Sequence, residues 1–281
     1  MIVSAQHQML LDAVRKFARE ELAPHAARWD RENHFPREAL KGLAQMGLYG
    51  VAIPEEWDGA GMDSTALALA IEAIAAGDGA TSTIVQVNNL VAGILNGYGS
   101  PAQKEKFLRP LARGEMLGAF CLTEPHTGSD AGAITTRAER KGGEYVLNGV
   151  KQFVTSGKNA DIAIVFAVSD KTAGKKGISA FLVATANPGY QVARIEEKSG
   201  QHASDTAQIV LEDCRIGADL LLGEEGLGYR IALANLESGR INVAAQATGM
   251  ARAALEAALA IAAERKSMGK TLLQHQAVNF R

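Results

Sequence analysis

The stretch CLTEPHTGSDAG, residues 121–132, concentrates hydrogen-bonding groups and contains no lysine or arginine. Its threonines and serine can offer hydroxyls, and its glycines let a ligand approach the backbone N–H groups closely. Such groups can bind phosphate oxygens or the polar edge of a planar ring. The competing interpretation is an ordinary loop whose polar side chains cap its own turns.

Few other residues have types and spacing that could do chemistry. Cys121 and His126 are not interpreted as a nucleophile and its base, because no oxyanion-hole motif accompanies them. Cys121 is instead expected to be a small buried strand residue. The six histidines include no pair with metal-ligand spacing, so no metal is proposed. Glu237 and Arg240, in LESGRINV, are either ligand-facing residues or an i,i+3 surface salt bridge.

The composition suits a globular protein with a sizeable core. The 281 residues are 47% hydrophobic and 21% charged, with a formal net charge of −2. A charge this small, without a basic run, does not favour nucleic-acid binding. The N-terminal residues lack the pattern of a signal peptide, and the most apolar tract is too short to span a bilayer. Two cysteines, Cys121 and Cys214, are too few for a disulfide framework, which favours a reducing cytoplasm.

Periodicity predicts an α+β fold with three domains, at residues 1–115, 116–222 and 223–281. The first domain is predicted to be helical, and Pro24 is expected to end or bend its first helix. Two tracts, STALALAIEAIAAGD and STIVQVNNLVAGILNGYG, are apolar around much of their circumference and predict buried helices. Ser100 is expected to cap the last helix of this domain.

The middle domain is predicted to be a small antiparallel, barrel-like β domain. EYVLNGVKQFVTSG predicts two short strands joined at Asn148-Gly149, because that dipeptide is the strongest short hairpin pattern. The later runs ADIAIVFAVSD, KGISAFLVAT and TAQIVLEDCRI are bounded by Asp, Gly and Pro, which is typical of strands. No GxGxxG opens a helix after a strand, so a Rossmann unit is not expected.

The last domain is predicted to begin with a helix over residues 226–266, without proline and rich in Ala and Leu. A helix of that length is expected to belong to a bundle. Leu272, Leu273, Gln276 and Phe280 then recur at helical spacing, which predicts the start of a further helix. Because these two helices cannot bury their own apolar faces, we expect an incomplete C-terminal helical bundle in a truncated chain.

Four motifs follow one another in order along nearly the whole chain. They are CLTEPHTGSDAGAITTRAER, YVLNGVKQFVTSGKNAD, LEDCRI and LLGEEGLGYRIALANLESGRINVAAQATGMARAALEAALAIAAERKSMGKTLLQHQAVNF. Together they resemble the acyl-CoA dehydrogenases, most closely the short-chain and branched-chain members. Each motif alone is moderately specific, whereas the ordered set is highly specific. Members of that family are longer, which agrees with a chain cut within its last domain.

The resemblance implies an FAD site. The residues implied to bind FAD are Phe120, Leu122, Thr123, Gly128, Ser129, Phe153, Thr155, Arg265 and Gln276. The first three are expected to flank the flavin ring, Phe153 to lie against it, and Thr155 to lie near N5, the atom that accepts hydride. Arg265 and Gln276 are expected to reach the FAD of a neighbouring subunit, which implies a homodimer or homotetramer. An uncharged wall of this kind can tune a flavin without fixing its redox state.

The resemblance also implies the substrate contacts and the reaction. Ser129, Glu237 and Arg240 are expected to contact a short or branched acyl-CoA, which is desaturated to a trans-2-enoyl-CoA in fatty acid or branched-chain amino acid catabolism. An electron-transfer flavoprotein is the expected electron acceptor. Met268 replaces the usual phenylalanine of one motif, which weakens the expectation of aromatic stacking there.

The catalytic base is not identified by the sequence. The reaction needs a carboxylate of raised pKa, such as a glutamate in an apolar pocket. The resemblance places it either on a loop beyond Arg281 or at the position of Gly239, and it gives Glu124 a structural role. Little turnover is therefore expected from this chain alone.

Two other functions stay open: a non-catalytic flavin or acyl-CoA-binding protein, and a flavin oxidase or monooxygenase on the same scaffold. Acyl chain length and branching are not indicated by any motif.

Overall fold

The computed structural model describes residues 3–281, and its first part is helical, as predicted. The helices are α1 (Ala5–Phe17), α2 (Ala23–Glu32), α3 (Arg37–Gln45), α4 (Ser64–Gly77), α5 (Gly79–Tyr98), α6 (Pro101–Gln103) and α7 (Arg109–Arg113). Asp78 ends α4 and caps α5 by accepting a hydrogen bond from the Thr81 N–H at 2.8 Å. Ser100 caps α6, as its sequence predicts. α4 and α5 therefore form a sharply bent, buried pair.

Two prolines of this part follow π-helical turns. The turn Ala18–Leu22 precedes Pro24, and the turn Lys104–Leu108 precedes Pro110. Proline has no N–H to donate to the carbonyl four residues earlier, and its ring crowds that carbonyl. A wider turn accommodates the lost hydrogen bond. The first helix thus changes its winding before Pro24 and continues as α2.

The middle part is a single eight-stranded sheet. Its strands are β1 (Gly118–Cys121), β2 (Arg137–Lys141), β3 (Glu144–Thr155), β4 (Ile162–Val168), β5 (Ile178–Ala184), β6 (Tyr190–Ile195), β7 (Thr206–Gly217) and β8 (Leu221–Leu222). The order is β6-β7-β3-β2-β4-β5-β8, with β1 paired to β4. Most pairs are antiparallel, but β1 and β2 each run parallel to β4. The α+β fold is confirmed, although the sheet is not a closed barrel.

The hairpin predicted at Asn148-Gly149 is wrong. Both residues lie inside the twelve-residue strand β3, at a register shift opposite β7. The Asn148 side chain accepts from the Asp213 N–H at 2.9 Å, and a Cβ on Gly149 would lie 2.4 Å from Thr136 Oγ1. The dipeptide therefore forms a β-bulge in β3, and its glycine allows Thr136 to lie close to the backbone of β3. Both are common roles of Asn and Gly within strands. The actual β2–β3 turn contains Gly142, with a φ of 63°.

The third part is dominated by one helix, α8 (Gly228–Glu264), whose 37 residues span about 55 Å. This confirms the long helix that the sequence predicts. α8 packs against α4 and α5, and a Cβ on Gly249 would lie 2.1 Å from the Glu72 carbonyl oxygen. Arg252 Nε lies 3.0 Å from Glu72 Oε1 across the same contact. Glycine thus allows α8 and α4 to approach closely, and an ion pair borders the contact.

The residues after α8 form less helix than the spacing of apolar residues predicts. β9 (Lys266–Ser267) and β10 (Lys270–Thr271) form a hairpin, and only α9 (Gln276–Asn279) is α-helical. Met268 and Gly269 have φ values of 52° and 78°, which turn the chain back on itself. Left-handed residues cannot belong to a right-handed helix, so the hairpin takes the place of the first turns that the spacing predicts.

The apolar core is continuous between the helices and the sheet. One part joins α1, α4 and α5 to one face of the sheet, and another joins α5, α7, β4, β5 and the start of α8. Leu255, Leu259 and Ile261, near the end of α8, are exposed.

Within residues 3–281, no helix is both long enough and apolar enough to cross a membrane.

Candidate active site

A buried lysine connects the two segments that the sequence predicts to form one wall. Lys151 Nζ, on β3, donates to the Leu122 carbonyl at 3.0 Å and to Glu124 Oε1 at 2.8 Å. The Gln152 N–H donates to the Thr123 carbonyl at 2.8 Å. The side chains of Lys151 and Glu124 are 0% and 1% exposed. The loop after β1 and the end of β3 are therefore held side by side by a buried ion pair.

Glu124 is held as a carboxylate and is a poor base. It accepts hydrogen bonds from the backbone N–H groups of Thr135 and Thr136, at 2.7 and 3.0 Å. Burial raises the pKa of Glu124, but the ion pair with Lys151 and these hydrogen bonds outweigh burial and lower the pKa to about 2. A carboxylate with so low a pKa has little tendency to take a proton at neutral pH. Its place in the structure agrees with the structural role that the resemblance implies.

The lowered pKa of Glu124 predicts a loss of stability in acid. Because the folded pKa lies below the ordinary value of 4.5, the stabilisation is complete above about pH 4.5 and is lost as the pH falls towards 2. The lost stabilisation should amount to about 3 kcal/mol. Urea unfolding of the wild type and of Glu124→Gln, measured between pH 6 and pH 2.5, gives the comparison. A difference between the two proteins that does not change with pH would contradict this assignment.

Phe153 occupies a strained position at the edge of the wall. Its φ is 57°, a left-handed conformation that bulky residues rarely adopt, and its side chain is 62% exposed. A second register shift between β3 and β7 falls at this point, between Lys151 and Val154. Strain of this kind costs about 1–3 kcal/mol and tends to occur at functional sites. The bulge turns an aromatic ring outwards next to Thr155, where a planar ligand can lie against it.

A cavity of about 580 Å³ opens between α5, α8 and the end of β3. Its lining includes Thr155, Gly239 and Arg240, which the sequence associates with catalysis or binding. The other lining residues are Thr83, Gln86, Val87, Leu90, Gln201, Leu236, Asn242, Val243 and Gln246. The cavity thus has apolar walls with a group of amide and hydroxyl side chains, which is the usual character of a site for an organic ligand.

The cavity contains no carboxylate from the part of the chain that the structure describes. Glu237 is exposed and is not among the lining residues. Arg240 and Glu237 are both exposed and form no ion pair within residues 3–281, so each is a solvated helix charge. Gly239 does line the cavity, and a Cβ added there would have no atom within 4 Å. The space next to Arg240 is therefore open at the position where the resemblance allows a base.

The remaining residues of the predicted wall have different environments. The Phe120 ring is half-buried and lies 5.0 Å from the Phe166 ring, whereas the Leu122 side chain is buried in the core. Leu122 can therefore contact a ligand only through its backbone. Gly128 and Ser129 are exposed in a turn, and within residues 3–281 no group accepts a hydrogen bond from their backbone N–H groups. Two adjacent free donors are suited to phosphate oxygens.

Arg265 and Gln276 lie far from this cavity. Arg265 follows α8 directly and is separated from Arg240 by about 38 Å along the helix axis. Gln276 begins α9, and both residues are exposed. Within one chain, these two residues and Thr155 cannot contact the same end of one ligand.

The sequence-based interpretation missed the buried polar residues of the site. Lys151 stands next to Gln152 in β3, a strand of mixed polar and apolar residues, and Gln246 stands in the Ala-rich part of α8. Gln246 is a polar residue among small apolar ones, a pattern that could have indicated a buried position, whereas the residues around Lys151 give no such pattern. Cys121 is buried as expected, and burial raises the pKa of its thiol to about 12. A thiol with that pKa is not a nucleophile at neutral pH.

Comparison with known proteins assigns the family. Residues 4–115, 119–214 and 226–281 match the N-terminal, middle and C-terminal domains of acyl-CoA dehydrogenase. The chain is 42% identical over 276 residues to the short-chain specific acyl-CoA dehydrogenase, mitochondrial, of Rattus norvegicus, covering 98% of this chain and 67% of the rat protein.

Two solved structures are similar over nearly all of the chain. Butyryl-CoA dehydrogenase from Megasphaera elsdenii superposes with a TM-score of 0.96 at 38% identity, covering 100% of this chain and 74% of that one. A glutaryl-CoA dehydrogenase from Mycobacterium smegmatis in complex with FADH2 superposes with a TM-score of 0.92 at 32% identity, covering 99% and 70%. The chain therefore belongs to the acyl-CoA dehydrogenase family, and the resemblance noted in its motifs is confirmed.

The residues present fit FAD, the cofactor of this family. The exposed Phe153 ring offers an apolar face, and Thr155, two residues further along the chain, offers a neutral hydroxyl in the cavity. Gly128 and Ser129 offer free backbone donors for a pyrophosphate. No ionised side chain of the described residues other than Arg240 lines the adjoining cavity, so the ring would lie in neutral surroundings.

Proposed function

We propose that the chain is an FAD-dependent acyl-CoA dehydrogenase that desaturates short or branched acyl-CoA thioesters to trans-2-enoyl-CoA. The observation that carries this proposal is the cavity in which Thr155, Gly239 and Arg240 meet, next to the strained Phe153. FAD, when bound, supplies the acceptor for the two electrons and the β-hydrogen that leave the acyl chain.

We assign roles to the residues of this chain as follows. Phe120, Thr123, Phe153 and Thr155 hold the ring, with Leu122 acting through its backbone. Gly128 binds the pyrophosphate, and Ser129 binds either the pyrophosphate or the CoA part of the substrate. Arg240 lines the cavity and Glu237 lies one helical turn before it, so Arg240 is the stronger candidate for a substrate contact. The apolar walls hold the acyl chain against the ring and exclude water from it.

Three finer assignments extend this proposal. The separation of Arg265 and Gln276 from the cavity supports their predicted contact with the FAD of a neighbouring subunit, in a homodimer or homotetramer. Electrons taken from the substrate must leave the protein, and an electron-transfer flavoprotein is the proposed acceptor. A cytoplasmic location and a role in fatty acid or branched-chain amino acid catabolism stay predictions, as do domain boundaries near residues 115 and 222.

Reconstitution with FAD tests the function. We expect a yellow protein whose flavin absorbance is bleached by butyryl-CoA only slowly in the absence of oxygen, because the described residues bring no carboxylate into the cavity. Its reduced form should pass electrons to an acceptor dye. Phe153→Asn removes the ring but keeps a residue that tolerates the left-handed backbone, so it should bind FAD at least about tenfold more weakly.

Other results would support the alternatives. A colourless protein would contradict the FAD site. A yellow protein that binds butyryl-CoA without bleaching would favour the non-catalytic binding protein, and rapid oxygen consumption would favour the oxidase or monooxygenase.

A further inference from the structure

A cluster of amide and hydroxyl side chains forms part of the cavity wall. Gln246 Nε2, on α8, lies 2.8 Å from the Gly79 carbonyl and from Ser82 Oγ, and 2.6 Å from Thr83 Oγ1. Gln86 Nε2, on α5, donates to Gln246 Oε1 at 3.3 Å. Gln246 therefore uses its whole amide within the protein and fixes the side chain of Gln86 beside it.

Two amide groups of this cluster keep free hydrogen-bonding capacity. The Asn242 side chain lines the cavity and is buried, with the residue only 5% exposed, and no partner for its amide exists among residues 3–281. Gln86 is 8% exposed, and its Oε1 likewise accepts no hydrogen bond from the described residues. Asn242 precedes Gln246 by four residues, so the two lie on the same face of α8, opposite Gln86. The free polar atoms of both amides are not fully enclosed by protein, because neither residue is among the completely buried side-chain groups that lack a partner. Both can therefore pair with a ligand in the cavity that they line.

The position of this cluster relates it to the acyl chain. Asn242 and Gln246 follow Gly239 on α8 by about 4 and 10 Å along the helix axis. Gly239 and Thr155 mark the part of the cavity where the reaction is proposed to occur. A short acyl chain that starts there would therefore end near Asn242 and Gln86. Arg240 is the only cation among the described lining residues and is assigned to a substrate contact in the proposed function, so the amides themselves offer a neutral environment.

We infer that the site selects short acyl-CoA thioesters carrying an uncharged hydrogen-bonding group, such as a hydroxyl, near the end of the acyl chain, and that Asn242 is the specificity-determining residue. This inference rests on the proposed function, because it assumes that the acyl chain occupies the cavity. An alkyl chain of the same shape leaves Asn242 and Gln86 unpaired, whereas a hydroxyl can donate to one amide and accept from the other.

The test compares two ligands of nearly the same shape. 4-Hydroxybutyryl-CoA carries a hydroxyl where pentanoyl-CoA carries a methyl group, and the dissociation constant of each is measured by calorimetry on the FAD-loaded protein. We expect the wild type to bind the hydroxylated ligand at least about tenfold more tightly. Asn242→Leu should remove this preference or reverse it. Val87→Ala, which changes an apolar residue of the same cavity, should leave the ratio of the two constants unchanged.

The outcomes separate this inference from the proposed function. Equal or tighter binding of pentanoyl-CoA by the wild type overturns the inference without needing any variant to fold, and it leaves the dehydrogenase proposal standing. A wild-type preference that survives in Asn242→Leu overturns the role of Asn242. Failure of the FAD-loaded wild type to bind either thioester contradicts the proposed function itself.

Discussion

Replacing Gly239 with glutamate is expected to speed the bleaching of the flavin by butyryl-CoA at least about 100-fold. A positioned general base contributes about 10²–10⁴-fold to proton transfer, and the described lining of the cavity contains no carboxylate. The position faces the cavity beside Arg240, and an added Cβ meets no atom within 4 Å. The first atom of the new side chain can therefore enter without displacing its neighbours. Stopped-flow absorbance of the FAD-loaded protein, without oxygen, measures the rate.

Gly239→Gln is the matched control for this experiment. Glutamine has nearly the same shape but cannot accept a proton at neutral pH, so its bleaching rate should stay near that of the wild type. Both variants should gain about 0.5–1 kcal/mol of stability, because glycine weakens the middle of a helix. Equal rates for Gly239→Glu and Gly239→Gln would show that this position cannot supply the base.

Replacing Lys151 with methionine is expected to lower the free energy of unfolding by about 3–5 kcal/mol. The change leaves the buried carboxylate of Glu124 without its cation and removes the hydrogen bond to the Leu122 carbonyl. Because that pair holds the loop after β1 against β3, the affinity for FAD should fall as well. Urea unfolding and FAD titration measure the two effects.

Two controls separate the ion pair from other consequences of the substitution. The double variant Lys151→Met with Glu124→Gln removes both charges, and it should recover a large part of the lost stability. Lys141→Met removes an exposed lysine of the neighbouring strand β2 and should change stability by less than about 1 kcal/mol. A double variant no more stable than Lys151→Met would argue against an uncompensated charge as the cause.

The helices and most strands could be predicted because their causes are local. Residue spacing determined the buried helices α4 and α5 and the long helix α8, and caps such as Ser100 marked where helices begin. The hairpin predicted at Asn148-Gly149 was wrong because the same dipeptide suits both a tight turn and a bulge. The choice between them was made by β7 and Thr136, which are distant in sequence.

The two candidate segments of the site could also be identified from the sequence, but their connection could not. Thr155 and Arg240 were expected near the reacting groups, and the structure places both in one cavity. Lys151, which joins the segments, and Asn242, which lines the cavity, stand in no sequence pattern that indicates a buried position. The left-handed backbone conformation of Phe153 could not be predicted from the sequence either, since phenylalanine has no preference for that conformation.

By itself, the sequence determined the order of the elements, the neutral character of the predicted wall and the family to which the chain belongs. Only the tertiary structure showed that the buried partner of Glu124 is Lys151, and that Gln246 organises one wall of the cavity. The physical reason is the separation of the partners along the chain: 27 residues divide Lys151 from Glu124, and 160 divide Gln86 from Gln246. Periodicity and capping act over a few residues, whereas such pairs meet only when the helices pack against the sheet.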